Sequence, residues 1–252
     1  MSRFSKLCLA ALCLVASTSQ AQELHVAAAA DLTAALPAII QQFESDTHAK
    51  VVVAYGSSGN FYQQLQNNAP FDVFLSADVQ YPQKLQDAGL TVPGTLAEYA
   101  TGKIVLWTRN ESKVDISSGL KSLTTPSIQK IAIANPQHAP YGKAAEAALK
   151  SEGIYDQISS KLVLGENISQ TAVFAQTGNA DVGIIALSLA LNPTMKTAGH
   201  FVEIPTGDYP PIKQAVVVMK NSRNVDLAKK FQQSLSSASA RQALQQFGFS
   251  VK

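Results

Sequence analysis

Along most of its length this chain alternates short apolar or β-branched runs with segments of helical period, and small polar residues mark the passages between them. That alternation constrains the fold more than any other feature, because strand–helix repetition implies parallel sheets covered by helices on both faces. Leu24 to Ala28 reads as a buried strand, and the helix after it carries Leu32, Leu36, Ile39, Ile40 and Phe43 on one face. Strands are expected at Val51 to Tyr55, Phe71 to Ser76, Lys103 to Thr108, Lys130 to Ala134, Lys161 to Leu164, Val182 to Leu187 and Gln214 to Met219. Helical composition marks Pro82 to Ala88, Lys143 to Glu152, Gln170 to Gln176, Val225 to Leu235 and Ala238 to Phe247. Pro37 breaks the first helical pattern: either the helix kinks there, or it starts near Leu36 and leaves Asp31 to Ala35 as a looser turn.

Four junctions between an expected strand and an expected helix stand out: Ala29-Ala30-Asp31-Leu32, Gly56-Ser57-Ser58-Gly59, Pro140-Tyr141-Gly142 and Glu166-Asn167-Ile168-Ser169. A helix N-terminus offers unpaired backbone N–H groups and the positive end of the macrodipole, so it holds an anion without a cationic side chain. If the four converge they form a cage of neutral donors, which suits a small, fully deprotonated oxyanion.

The first 21 residues read as a leader: Arg3 and Lys6 precede the apolar run Leu7 to Ala16, and Ser19-Gln20-Ala21 is a small-x-small cleavage site. Cys13 follows Leu12 and Cys8 follows Leu7, so neither cysteine has the small preceding residue of a lipid anchor. Of 252 residues, cleavage leaves 231, with neither cysteine and enough chain for a core of its own. Two of the 20 Lys and Arg leave with the leader, and the 18 that remain balance the 18 Asp and Glu. A mature charge near zero argues against nucleic acid and polybasic membrane attachment. It also means that the net field of the protein is not what captures an anion.

At the second junction one serine is expected to cap the helix, while Ser58 donates to ligand oxygens and Gly56 and Gly59 let backbone approach closely. The GxxxxGK[ST] phosphate loop is absent. Tyr141, in a loop stiffened by Pro136, Pro140 and Gly142, offers a neutral phenol donor; His138 beside it reads as a solvated loop residue. Asp31 is expected either to cap its helix by accepting from Thr33 or Ala34, or to accept a proton carried by the ligand. Catalysis is disfavoured. GxSxG is missing, and His25, His48, His138 and His200 stand in no recognisable relation to the serines. Nor does any HExxH or CxxC pattern imply a protein-ligated metal.

The segments VAAAADLTAALPAI, YGSSGNFYQQLQNNAPFDVFLSAD, ANPQHAPYGKAAEAAL, ENISQTAVFAQTGNADVGII and QQFGFSVK resemble, in order, the periplasmic molybdate-binding proteins of ABC importers. The resemblance implies a type II periplasmic-binding fold of class α/β, with two Rossmann-like lobes joined by a two-segment hinge. It places the first lobe at 22–100 and 211–252, the second at 101–210, and the crossings near Thr101 and Pro211. It implies ligand contacts from Ser58, from the backbone and hydroxyl of Tyr141, from the backbone of Ile168, and from Ala30 and Asp31. The metal centre of the oxyanion is reached through Ser58, Tyr141 and Ile168, with no direct protein–metal bond. The sequence departs from the family at Asp31, where many members carry Ser, Thr or Asn, and at Ala186, where some place a tyrosine whose hydroxyl Tyr141 would replace. The expected protein is a periplasmic monomer without a cofactor, binding molybdate and tungstate for delivery to a membrane permease. The alternatives are the same fold holding phosphate or sulfate, with Asp31 accepting a proton in the phosphate case, and, more distantly, a cleft hydrolase using Ser58 or Tyr141.

Overall fold

The computed structural model describes residues 22–251, so the expected leader, with Cys8 and Cys13, lies outside the described residues. Two five-stranded sheets form the cores of two lobes. The first lobe begins with β1 (Glu23–Ala29), α1 (Leu36–Thr47), β2 (Lys50–Gly56), α2 (Ser58–Gln66), β3 (Val73–Ser76), α3 (Gln80–Asp87) and β4 (Ala97–Gly102). The second holds β5 (Ile104–Arg109), β6 (Ile131–Ala134), α4 (Pro140–Ser151), α5 (Tyr155–Ile158), β7 (Leu162–Gly165), α6 (Ile168–Gln176), β8 (Val182–Ala186), α7 (Leu187–Ala190), α8 (Pro193–Ala198) and β9 (Gly199–Glu203). The chain then returns to the first sheet as β10 (Ile212–Val218), and α9 (Val225–Ser234) and α10 (Ala238–Gln246) follow.

The strand order is β2-β1-β3-β10-β4 in one sheet and β7-β6-β8-β5-β9 in the other. Neither sheet is wholly parallel, which corrects the expectation from the strand–helix pattern. β1 runs parallel to β2 and β3, and β6 runs parallel to β7 and β8. The strand at each crossing is reversed: β10 is antiparallel to β3 and β4, and β5 to β8 and β9. The helical crossovers force parallel neighbours only where they occur, whereas a strand entered directly from the other lobe is free to run the opposite way.

Each lobe packs its own core. Phe74 in the first, Trp107 in the second and Phe231 on the inner face of α9 are fully buried, and Phe43 meets Phe231 edge to face at 5.1 Å. Pro37 does not kink a helix. A 3-10 turn spans Ala30–Thr33, and α1 starts at Leu36 with the proline in its first turn, where no backbone N–H is needed.

This topology points the C-terminal ends of the parallel strands of both sheets at the junction between the lobes. β1 ends at Ala29, β2 at Gly56, β3 at Ser76, β6 at Ala134 and β7 at Gly165. In open α/β sheets that edge is where ligands bind.

Candidate functional site

The helix starts at the ends of β2, β6 and β7 supply the walls of the site. Ser57 caps α2, its Oγ accepting the Asn60 N–H at 3.3 Å, and Asn167 caps α6 by accepting from Gln170 at 3.0 Å. With the caps so used, the N–H groups of Ser58, Tyr141 and Ile168, in the first turns of α2, α4 and α6, have no acceptor in their own helices. Pro140 at the start of α4 spends no donor. Ser58 is buried; its Oγ accepts the Ala77 N–H at 2.9 Å and keeps its own hydrogen free to donate.

Ala30, Asp31, Ser58, Tyr141 and Ile168, far apart in sequence, line one cavity together with Ala29, Gly56, Ser57, Ala77, Ala139 and Pro140. Its volume is only about 10 Å³, far below the roughly 300–1,000 Å³ of pockets for organic ligands. The size suits a small ion. A wider groove shares Ala77 and Pro140 with it and is bordered by Asp78, Lys143 and Lys213. The buried donors face the smaller space.

Asp31 is not a helix cap. The cap position of the 3-10 turn is Ala29, and the Asp31 carboxylate, fully buried, turns instead to Tyr141 of the second lobe and to Gln214 of β10. Its Oδ2 accepts from the Tyr141 hydroxyl at 2.9 Å and from Gln214 Nε2, while Oδ1 is buried with no partner. Tyr99 donates to Gln214 Oε1 at 2.8 Å, which fixes the amide with its nitrogen toward Asp31 and toward the Tyr141 oxygen at 3.2 Å. Burial pushes the Asp31 carboxyl up to about 6, against the opposing pull of the Gln214 and Tyr141 donors and, least, of its own backbone N–H. Burial, and then the Asp31 charge, push the phenols of Tyr99 and Tyr141 well above their usual range, so both remain protonated donors. The Tyr141 hydroxyl donates its hydrogen to Asp31 here, whereas the sequence suggested a ligand contact for it. Gly102 makes room for this contact: a Cβ there would lie 2.1 Å from the Tyr141 hydroxyl.

Further bonds join the lobes around the cavity. Ser169 Oγ donates to the Ala30 carbonyl at 2.8 Å, Ser188 Oγ to the Asp31 carbonyl at 2.7 Å, and the Gly59 N–H to the His138 carbonyl at 2.9 Å. His138 is no solvated loop residue: its Nδ1 lies 2.9 Å from Ser57 Oγ and its side chain is 16% exposed. Ser57, His138 and Glu166 form a line but not a catalytic triad. The serine oxygen caps α2, and Glu166 is 68% exposed and 3.7 Å from the ring. Among the described residues no cluster of His, Cys, Asp or Glu is arranged to hold a metal ion.

Sequence reasoning assigned no role at the site to the side chains of Gln214, Tyr99, Ser169 and Ser188. A signal existed for Gln214, a fully buried polar residue heading the apolar run of β10. The serines carried none, since their partners lie 139 and 157 residues away.

Residues 24–250 match the family model for bacterial extracellular solute-binding proteins. The chain is 38% identical over 239 residues to the molybdate-binding protein ModA of Azotobacter vinelandii, covering 95% of this chain and 94% of that one. It is 37% identical to ModA of Rhodobacter capsulatus, covering 93% and 91%. The solved periplasmic molybdate-binding protein of A. vinelandii superposes with a TM-score of 0.86 at 33% identity, over 91% of this chain and 99% of that one. The chain belongs to the bacterial extracellular solute-binding proteins, and within them to the group of the molybdate-binding ModA proteins.

Proposed function

We propose that this protein captures molybdate, and tungstate with it, outside the cytoplasm and delivers the oxyanion to an ABC-type permease in the membrane. It is a binding protein, not an enzyme, as its relatives are. The observation that carries the reading is the convergence of uncommitted donors on one small buried cavity: the N–H groups of Ser58, Tyr141 and Ile168 and the Ser58 hydroxyl. Ala30 and Asp31 complete the wall from the first lobe. All contacts go to oxygens of the anion, so the metal centre needs no protein ligand.

Dehydration of the dianion is offset by charge-assisted hydrogen bonds from donors already held in place by helix termini. Selectivity over sulfate rests on cage size, since both ions are tetrahedral dianions. The lobes, taken as 22–100 with 211–252 and as 101–210, close about the ligand near Thr101 and Pro211. Support for that division comes from the chain leaving the first sheet after Gly102 and rejoining it at Ile212. A cleavable leader over residues 1–21 exports the chain to the periplasm, where it acts as a monomer without a cofactor.

Isothermal titration of the mature protein against molybdate, tungstate, sulfate and phosphate tests this. Submicromolar molybdate and tungstate binding with no sulfate heat is the expected result. Tight binding of phosphate alone would refute it.

A further inference from the structure

Asp31 poses a problem for a site that binds a dianion. A second negative charge in its wall repels the ligand, and in a buried setting that repulsion is only weakly screened. No Lys, Arg or His bonds to the carboxylate among the described residues. The groups facing it are Tyr141 from α4, Tyr99 from β4 acting through Gln214 of β10, and Ser169 and Ser188 from α6 and α7, which bind backbone carbonyls only. Tyr209 adds a phenol near Tyr141, and the pair His138 and Glu166 lies against Ser57 in another wall. None of these supplies a compensating positive charge at Asp31.

The two carboxyl oxygens are used unequally. Oδ2 accepts from Tyr141 and Gln214, whereas Oδ1 is fully buried and makes no hydrogen bond, in a residue that lines the cavity. A buried, unpaired carboxylate oxygen is costly, and such an orphan calls for a partner from outside the chain. Neutralising Oδ1 with a proton turns that oxygen from a repelling acceptor into a donor, in keeping with the neutral donors on the other walls.

Resting on the molybdate reading above, we propose that Asp31 is a specificity-determining residue that takes up one proton as the oxyanion binds. The proton sits on Oδ1 and is donated to a ligand oxygen, while Oδ2 stays fixed by Tyr141 and Gln214. No bond other than this O–H forms, and the proton comes from solvent. Burial has already lifted the carboxyl to about 6, so the step needs only a further upward displacement, which a dianion alongside supplies. A phosphate that carries its own proton could satisfy the ionised Asp31 directly, so the residue also sets how the site ranks protonated against unprotonated anions.

The test is calorimetry of the mature protein with molybdate from pH 5.5 to 8.5, in buffers of differing ionisation enthalpy. The wild type is expected to take up close to one proton per ion near neutral pH, and its Kd is expected to rise by up to about tenfold per pH unit above pH 6. In Asp31→Asn the amide oxygen takes the Oδ2 place and the amide nitrogen supplies the donor, so binding persists, the pH slope disappears and proton uptake stops. Tyr141→Phe removes a donor from the charged form, so the fall in affinity moves to higher pH; this second variant serves if Asp31→Asn fails to fold. Tight binding that is independent of pH, or a wild-type slope retained in Asp31→Asn, overturns the proposal and leaves molybdate binding standing. No molybdate heat at any pH overturns the functional reading itself, and this proposal with it.

Discussion

Gly59 separates the closed arrangement of the lobes from the stability of either one. It is the second residue of α2, and an ideal Cβ at this position would lie 2.5 Å from the His138 carbonyl oxygen and 2.9 Å from the His138 Cα and Cβ. The obstacle is backbone of the opposite lobe, which cannot move aside as a flexible side-chain tip does. Within its own helix, alanine is the better residue, by up to about 0.5–1 kcal/mol. Across the lobes, Gly59→Ala brings an overpacking cost of roughly 1–3 kcal/mol. It also strains or loses the Gly59 N–H to His138 carbonyl bond, for about 0.5–1.5 kcal/mol more. The sum, about 1.5–4.5 kcal/mol, falls on the closed state alone and corresponds to a loss of molybdate affinity of roughly 10- to 2,000-fold. Calorimetry supplies the Kd, and thermal denaturation without ligand supplies the stability. The expected pattern is weak binding with an unchanged or raised Tm. A Kd within about threefold of wild type would refute the argument, as would a ligand-free Tm that drops in step with affinity.

The remaining predictions concern the cage and its charge. Ser58→Ala deletes the free hydroxyl hydrogen and strands the Ala77 N–H, so molybdate affinity measured by titration should fall about 10- to 100-fold, the worth of one hydrogen bond to a charged group. Asp31 holds its proton in the folded state up to about pH 6 but only to about 3.8 when unfolded. The folded state therefore binds more protons across that window, and this residue's contribution to stability is present below 3.8 and lost as pH rises through 6, by about 3 kcal/mol in all. The ligand-free stability of Asp31→Asn relative to wild type, from denaturant titrations at pH 4 and pH 7.5, should accordingly rise with pH; a difference flat in pH would count against a buried, unpaired carboxylate. With 18 Lys and Arg against 18 Asp and Glu over residues 22–252 and a buried site, the molybdate Kd should change only a few-fold between low salt and 0.5 M salt, whereas capture by an exposed basic patch would weaken steeply.

The helix starts were legible because their chemistry is local. Gly-Ser-Ser-Gly, Pro-Tyr-Gly and Asn-Ile-Ser announce caps and first turns within a few residues, and the five residues singled out do line one cavity. What each side chain does there was less legible. Asp31 looked like a cap since Thr33 and Ala34 are its near neighbours, but the donors that claim it lie 110 and 183 residues away. His138 read as solvated for the same reason, its Ser57 partner being 81 residues distant. The strands β4 and β9 escaped notice because they are half-exposed and sit at sheet edges, where little apolar patterning is required. Strand direction left no mark in composition, so the antiparallel β5 and β10 could not be told from their parallel neighbours.

The central claim is that neutral donors at converging helix starts, and not cationic side chains, hold the oxyanion. Anomalous diffraction at the molybdenum edge, from crystals of the mature protein grown with molybdate, tests it most directly. The account predicts one strong peak in the cavity walled by Asp31, Ser58, Tyr141 and Ile168, with ligand oxygens on the Ser58, Tyr141 and Ile168 N–H groups and on the Ser58 hydroxyl. A peak in the neighbouring groove, held by Lys143 or Lys213, would contradict it.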